Sequence, residues 1–331
     1  MISLIVATYN VKEYVKEFLE SVVNQTFKDF EAILVNDGST DGTDTILNEY
    51  ADKYDFIKAV HKENGGVVSA WKRGLKESRG EYITFADPDD IMELNALETQ
   101  YKLMTENNAD LVITGINRLE KGKIIQMPAD NWSLEEGVYT GERLKEIKQS
   151  LFGNRTNKIA AFFFAKWNKL FKREIVLDNL EFSSDNVTFG DDVCICASAI
   201  YDSKIIVYNK TPLYIYRIRD DSLTTVNFNM KQIDDAANLM RSVRAMLSEK
   251  GYMNEFVYYN YPSYHIMRLM RKIGNLQNTK TEKKKYLKTL KTHTFVSDYD
   301  LKKAKKYISF RRYVAIWLLK NSMYGLLLKL L

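Results

Sequence analysis

The sequence predicts an α/β fold, a mostly parallel sheet covered by helices and followed by a helical C-terminal extension. Three observations predict it. Strand-like runs alternate with helix-period runs from residue 2 to about residue 115, with short connections between them. The strand at residues 82–86 ends at Asp87-Pro88-Asp89-Asp90, crowding three carboxylates at the sheet edge where open α/β folds bind ligands. Beyond about residue 228, long helical periods replace the strands.

Residues 2–7 are apolar enough for a buried strand, and Thr8-Tyr9-Asn10 closes it. Tyr14, Val15, Phe18, Leu19, Val22 and Val23 then recur at helical spacing. A second strand, 31–35, breaks at Asn36-Asp37-Gly38-Ser39-Thr40-Asp41-Gly42, a loop of turn formers and caps. A helix around Ile46, Leu47 and Tyr50, a strand at 56–61, a turn at Gly65-Gly66 and a helix at 67–78 lead to the strand at 82–86. A helix at 93–107, a strand at 110–114 and a looser stretch to residue 140 follow. Further on come a helix at 141–152, an apolar run at 159–164, and a helix at 193–201 that opens on Asp191-Asp192. Two strands are expected at 204–208 and 213–217. Helices are expected at 232–250, 255–275, 281–292 and 298–331. The division expected is a catalytic domain, 1–228, with halves of about 1–115 and 116–228, and a helical region, 229–331.

The 331 residues carry a formal charge of +5. From Lys280 onward 14 Lys and Arg face 3 Asp and Glu, so the basic character belongs to the tail and the rest is acidic. Cys194 and Cys196 fit a buried apolar pair, no further cysteine completes a zinc site, and a reducing cytoplasm is expected. Met1 leads straight into a strand-like run, so no leader is expected there. No G-x-G-x-x-G follows the first strand, and no G-x-x-x-x-G-K-[ST] occurs, which disfavours dinucleotide and P-loop sites. Three close carboxylates call for a compensating cation, and a hard divalent ion suits them. The bland reading is a solvated acidic turn that caps the next helix.

Taken together, Ser3 to Asn10, Val35 to Thr43, Asn64-Gly65-Gly66, Gly80 to Asp90, Lys166 to Phe171, Gly190 to Val193 and Tyr216-Arg217 to Ser222-Leu223-Thr224 resemble bacterial family 2 glycosyltransferases. The resemblance covers roughly residues 2–228 and is greatest to enzymes building capsule, exopolysaccharide or teichoic-acid glycans. It implies a GT-A nucleotide-sugar fold and an inverting transfer from a UDP-sugar that depends on Mn2+ or Mg2+. By the family pattern, Thr8, Tyr9 and Asp37 line the uracil pocket. Asp87 contacts the ribose or metal-bound water, Asp89 binds the ion, and Asp192 is the general base with Asp191 beside it. Arg217 and Ser222 belong to a loop that closes on the diphosphate, and Trp167 and Asn168 shape the acceptor subsite. Two departures stand out. Ala70-Trp71-Lys72 replaces Ala-Arg-Asn, which hands nucleotide contacts to Lys72 or Arg73, and none of His61, His265 and His293 supplies a third metal ligand.

Competing readings remain at each position. Asp37 is also a turn residue, Asp191-Asp192 also favour a helix N-terminus, Arg217 also suits a surface ion pair, and Trp167 also suits a core. A nucleotidyltransferase on a related scaffold would open with a Gly-rich basic loop after the first strand, and Thr8-Tyr9-Asn10 is not one. A non-catalytic sugar-binding or scaffold protein would not need Asp89 or Asp192. In the tail, Lys302-Lys303, Lys305-Lys306 and Arg311-Arg312 with Tyr307, Phe310 and Trp317 suit a helix on an anionic membrane surface. No stretch is long and apolar enough to span a bilayer. That composition implies a peripheral position at the inner face of the plasma membrane and a glycan, teichoic-acid or lipid-linked acceptor. A helical bundle or a homo-oligomer contact is the alternative, and nucleic acid is not expected.

Overall fold

The apolar runs of the sequence become the buried strands of the sheet. In the computed structural model, which describes residues 1–127, 134–152, 164–188, 190–219 and 228–331, the chain forms two units, Met1–Arg219 and Asp220–Leu331.

The first unit is built on β1 (Ile2–Thr8), whose side chains are buried on both faces as a parallel strand between two helical layers requires. It pairs in parallel with β2 (Phe30–Asn36) on one side and with β4 (Tyr82–Ala86) on the other. The strand β3 (Ile57–His61) joins β2 in parallel. Helices α1 (Val15–Val23), α2 (Thr43–Lys53) and α3 (Val67–Glu77) make the crossovers. Between α3 and the sheet, Trp71 packs edge-on to Phe85, which meets Phe171 in the same way. Trp71 is therefore core, and its presence in place of a polar family residue is a packing choice.

The remaining strands mix directions. After β5 (Ile91–Met92) and α4 (Ala96–Glu106) come β6 (Leu111–Glu120), β7 (Lys123–Gln126), β8 (Gly137–Tyr139) and α5 (Gly141–Ser150). Then follow β9 (Lys169–Lys172), α6 (Arg173–Leu177), α7 (Asp191–Asp202) and β10 (Ile206–Arg217). Among the described residues the sheet runs β3-β2-β1-β4-β9-β6-β10-β5, with β7 on β6 and β8 on β10. The strand β9 lies antiparallel between β4 and β6, and β10 runs parallel to β6. The fold is the GT-A nucleotide-diphospho-sugar transferase fold that the resemblance implied, its sheet parallel from β3 to β4 and mixed beyond it.

Two strand expectations need correction. The helix foreseen from residue 93 begins at Ala96, because Ile91 and Met92 pair with β10 and the Glu93 N–H donates to the Leu213 carbonyl. The two strands foreseen at 204–208 and 213–217 are one, with register shifts between Asn209 and Tyr214. Gly115 permits this. A Cβ there would lie 2.2 Å from the Lys210 carbonyl oxygen, so only glycine lets β6 approach the irregular stretch.

The second unit is helical: α8 (Lys231–Glu249), α9 (Glu255–Asn275), α10 (Lys280–Thr292), α11 (Thr294–Ser297), α12 (Leu301–Ala304), α13 (Phe310–Lys320) and α14 (Tyr324–Leu330). The single helix foreseen at 298–331 is three. Ser309 caps α13 by accepting from the Arg312 N–H, and Ser322 takes a left-handed φ of 59° between α13 and α14. Ala315, Ile316, Leu318 and Leu319 are buried with Ile266, Met270 and Ile273 of α9, so much of the apolar tail closes a bundle core. No helix among the described residues is long and apolar enough to cross a membrane.

Candidate active site

The carboxyl ends of β1, β2 and β4 share one edge of the sheet, and the sequence-predicted residues of the first half lie there. Their local roles differ. Asp37 is buried at the end of β2. Its Oδ1 accepts from Lys62 Nζ (2.6 Å) and the Gly65 N–H (2.9 Å), and its Oδ2 accepts from the Gly66 N–H (2.8 Å). Three of roughly four carboxylate lone-pair sites are thus spent on folding the 62–66 loop. Thr8 is buried and donates its hydroxyl to the Val35 carbonyl (3.1 Å), so its side chain works inside the sheet. Tyr9, by contrast, is 51% exposed. Asp41 accepts from the Thr43 hydroxyl and N–H and from the Lys12 N–H. Burial would raise the Asp41 pKa, but those bonds outweigh it and hold the carboxyl below its ordinary value. Lys72, foreseen as a nucleotide contact, donates instead to the Ser183 carbonyl (2.6 Å) and Asp185 (2.8 Å).

The Asp87–Asp90 turn is anchored to β10. The Asp87 N–H donates to the Tyr214 hydroxyl (2.9 Å), and Asp90 Oδ1 accepts from the Arg217 N–H (2.8 Å). Asp90 is buried, and desolvation first, then the charges of Asp87 and Asp89, push its carboxyl well above the usual range. Arg217 donates from Nε to the Asp89 carbonyl (2.7 Å) and from its fork to Glu17 (2.6 Å). Arg219 pairs with the Asp89 carboxylate at 2.8 Å, and its guanidinium lies over the Tyr14 ring. Arg217 therefore meets the motif through the backbone, and Arg219 is the arginine on the acid itself. Ser222 and the rest of its loop lie outside the described residues.

The second wall stands on α7, where Gly190 at a φ of 85° turns the chain into the helix and Asp191 and Asp192 occupy its first turn. The residue that joins the walls is Lys166, which is 5% exposed. Its ammonium lies 2.5 Å from Asp192 Oδ1, 3.0 Å from Asp191 Oδ2 and 4.0 Å from Asp87 Oδ1. Desolvation alone would lower the Lys166 pKa, but Asp191, Asp192 and Asp87 outweigh it and hold the ammonium well above its usual range. Burial and then Asp191 raise Asp192 to about 8 against the pull of Lys166. Burial likewise raises Asp87 to about 6, opposed by Lys166 and reinforced by Asp89 and Asp191. The Asp87 side chain keeps 37% exposure, so solvent screens part of that rise.

The two acceptor-subsite expectations fare differently. Asn168 is 0% exposed. Its amide donates to the Thr114 carbonyl (2.7 Å) and accepts from Lys169 (2.8 Å), while its own carbonyl accepts from the Thr114 N–H (3.0 Å). It pins the start of β9 to β6 and cannot touch an acceptor. Trp167 is partly exposed and stacks on Tyr214 (4.8 Å) and Tyr216 (5.6 Å). Cys194 and Cys196 are buried, unpaired and pushed up to about 12 by desolvation, as apolar fillers.

A divalent ion can be weighed against this donor set. No group of three or more His, Cys, Asp or Glu disposed to hold a metal occurs among the described residues. Yet four carboxylates, Asp87, Asp89, Asp191 and Asp192, face two cations, Lys166 and Arg219. The residues fit an ion that takes its remaining ligands from a bound diphosphate and water, and do not fit an all-protein cage.

The family model described as "Glycosyl transferase family 2" matches residues 3–179, just over half of the chain, a span that includes the Asp87–Asp90 turn and Lys166. The chain belongs to glycosyl transferase family 2. This family 2 chain is 32% identical to glycosyltransferase GlyA of Streptococcus pneumoniae over 76% of its own length, and spans 35% of GlyA. It is 30% identical to GlyG of the same organism over 71% of its length and 76% of GlyG's. The S. aureus TarS 1-349 structure in complex with UDP-GlcNAc shares its fold, with a TM-score of 0.71 at 17% identity over 99% of this chain and 90% of that one.

Proposed function

We propose that the protein is a metal-dependent, inverting glycosyltransferase. It moves a hexose or N-acetylhexosamine from a UDP-sugar to a hydroxyl of a cell-surface glycan, teichoic-acid or lipid-linked acceptor. The observation that carries this reading is the arrangement of Asp192 and Asp191 on α7 facing the Asp87-Asp89 turn across the Lys166 ammonium. Family membership supports it, and the TarS likeness supports a uridine diphosphate donor.

On this reading Asp192 removes the acceptor proton as the hydroxyl attacks the anomeric carbon from the face opposite the leaving diphosphate. Tyr9 offers an exposed ring for the base, and Asp37 keeps about one carboxylate lone-pair site beyond its three accepted bonds. Asp89 and Asp87 would hold the divalent ion, which when bound takes up charge on the departing UDP. Arg219, now on Asp89, is the guanidinium best placed to move to phosphate, with Arg217 fixing the turn beneath it. Trp167 is proposed for the acceptor side through whatever edge its tyrosine stack leaves open.

The test is donor-dependent UDP release from UDP-Glc, UDP-Gal, UDP-GlcNAc and UDP-GalNAc, with Mn2+ or Mg2+ and with a chelator. At least one donor should be turned over, the chelator should suppress it, and Asp192→Asn should lower transfer about 100-fold or more. Wild-type transfer by Asp192→Asn would remove the base assignment. A second reading concerns the helical unit, where Phe310 is 80% and Trp317 42% exposed. They lie seven residues apart and so share one side of α13 in a strongly basic segment, which favours contact with an anionic membrane surface.

A further inference from the structure

Lys166 has a role that its burial does not explain. A buried ammonium needs one carboxylate to compensate it, and Lys166 has three around it. It also holds both oxygens of one of them. The ammonium is 2.5 Å from Asp192 Oδ1, and the Lys166 backbone N–H reaches Asp192 Oδ2 at 3.4 Å. Two contacts from one residue set the plane of that carboxylate. The neighbouring ring extends the link: Trp167 stacks on Tyr214, and the Tyr214 hydroxyl accepts the Asp87 N–H. The dipeptide Lys166-Trp167 thus meets the acid pair and Asp87 through the ammonium, and the backbone of the Asp87 turn through Tyr214.

We propose that Lys166 is a positioning residue: it orients the Asp192 carboxylate for proton abstraction and sets its place relative to Asp87. The proposal rests on the glycosyltransferase reading above. Lys166 acts through Asp192 and does not itself touch the reacting atoms. Removing its charge therefore affects the transfer step and leaves nucleotide binding in place.

The test uses the full chain with the variants Lys166→Met, Lys166→Arg, Asp192→Asn and the double variant Lys166→Met/Asp192→Asn. Melting temperature, UDP affinity by calorimetry with Mn2+, and kcat and KM for transfer are measured for each. The expected result is UDP affinity and melting temperature close to wild type for Lys166→Met, with kcat down about 100-fold and partial recovery in Lys166→Arg. The double variant should be no slower than Asp192→Asn alone, since residues that act as a unit do not lose rate additively. Additive losses would overturn the proposal. So would wild-type kcat in Lys166→Met, or a loss of UDP affinity and melting temperature that matches the loss of rate. A wild-type protein that binds UDP but turns over no donor defeats the glycosyltransferase reading itself, and the Lys166 role with it.

Discussion

A carboxylate that takes a proton from a sugar hydroxyl works best with its own pKa near the working pH. Asp192, raised to about 8 by burial and by Asp191, meets that condition. The sign is definite. Only the deprotonated form accepts the proton, so kcat/KM should climb with pH through about 8, where an unperturbed aspartate would already have levelled off near pH 5. The same shift costs stability. A carboxyl whose folded pKa exceeds its unfolded value binds more protons when folded, so it loses stability as pH rises toward about 8. Asp192→Asn should therefore melt above wild type at pH 8.5, with the gap closing toward pH 5, and differential scanning calorimetry at the two pH values checks it. Asp87, Asp89, Asp191 and Asp192 drew attention as clustered acids at strand and helix ends, and the family resemblance, not the clustering, gave them their expected roles. Lys166 did not stand out, because a single lysine beside a tryptophan looks like any solvated lysine until its partners in space are known. Thr8 and Asn168 show the opposite case, polar side chains engaged inside the sheet. Polar residues at strand ends resemble ligand contacts, whereas here they satisfy backbone groups inside the sheet.

At the scale of elements, the nucleotide half was readable nearly residue by residue. Strands buried on both faces and helices with one apolar stripe each announce themselves locally, as β1, β2, β4, α1 and α3 do. What local pattern cannot convey is pairing. The antiparallel entry of β9 between β4 and β6, and the continuity of β10 through Pro212, depend on partners more than 50 residues away. Gly115 marks that continuity and gives a direct test. In Gly115→Ala the new methyl meets a backbone carbonyl that has no rotamer to escape into, so the first unit should lose about 3 kcal/mol, the upper end of overpacking costs. A urea midpoint shifted down at unchanged slope is the expected signature.

Over the whole chain, charge is divided by region: the tail from Lys280 is strongly basic while the residues before it are acidic overall. The helical unit buries much of the tail's apolar content, and Phe310, Trp317, Met323 and Leu326 remain exposed in a basic segment. If that surface meets anionic lipid, the full-length protein should sediment with phosphatidylserine-containing vesicles and not with neutral ones. Binding should weaken between 0.05 and 0.5 M salt, roughly as the Debye length shortens. Phe310→Ser with Trp317→Ser should reduce it without lowering UDP affinity, and equal binding to neutral vesicles would sink the idea.

One strand, β10, supports the turn that carries Asp87 and Asp89, the ring beneath Trp167 and Arg217, with Arg219 two residues past its end. Side chains alternate along a strand, so a slip of one residue in its pairing would turn Tyr214 away from the Asp87 N–H and from Trp167 at once. Chemistry and scaffold are therefore coupled through one side chain: a change that unseats Tyr214 disturbs the acidic turn and the tryptophan stack together.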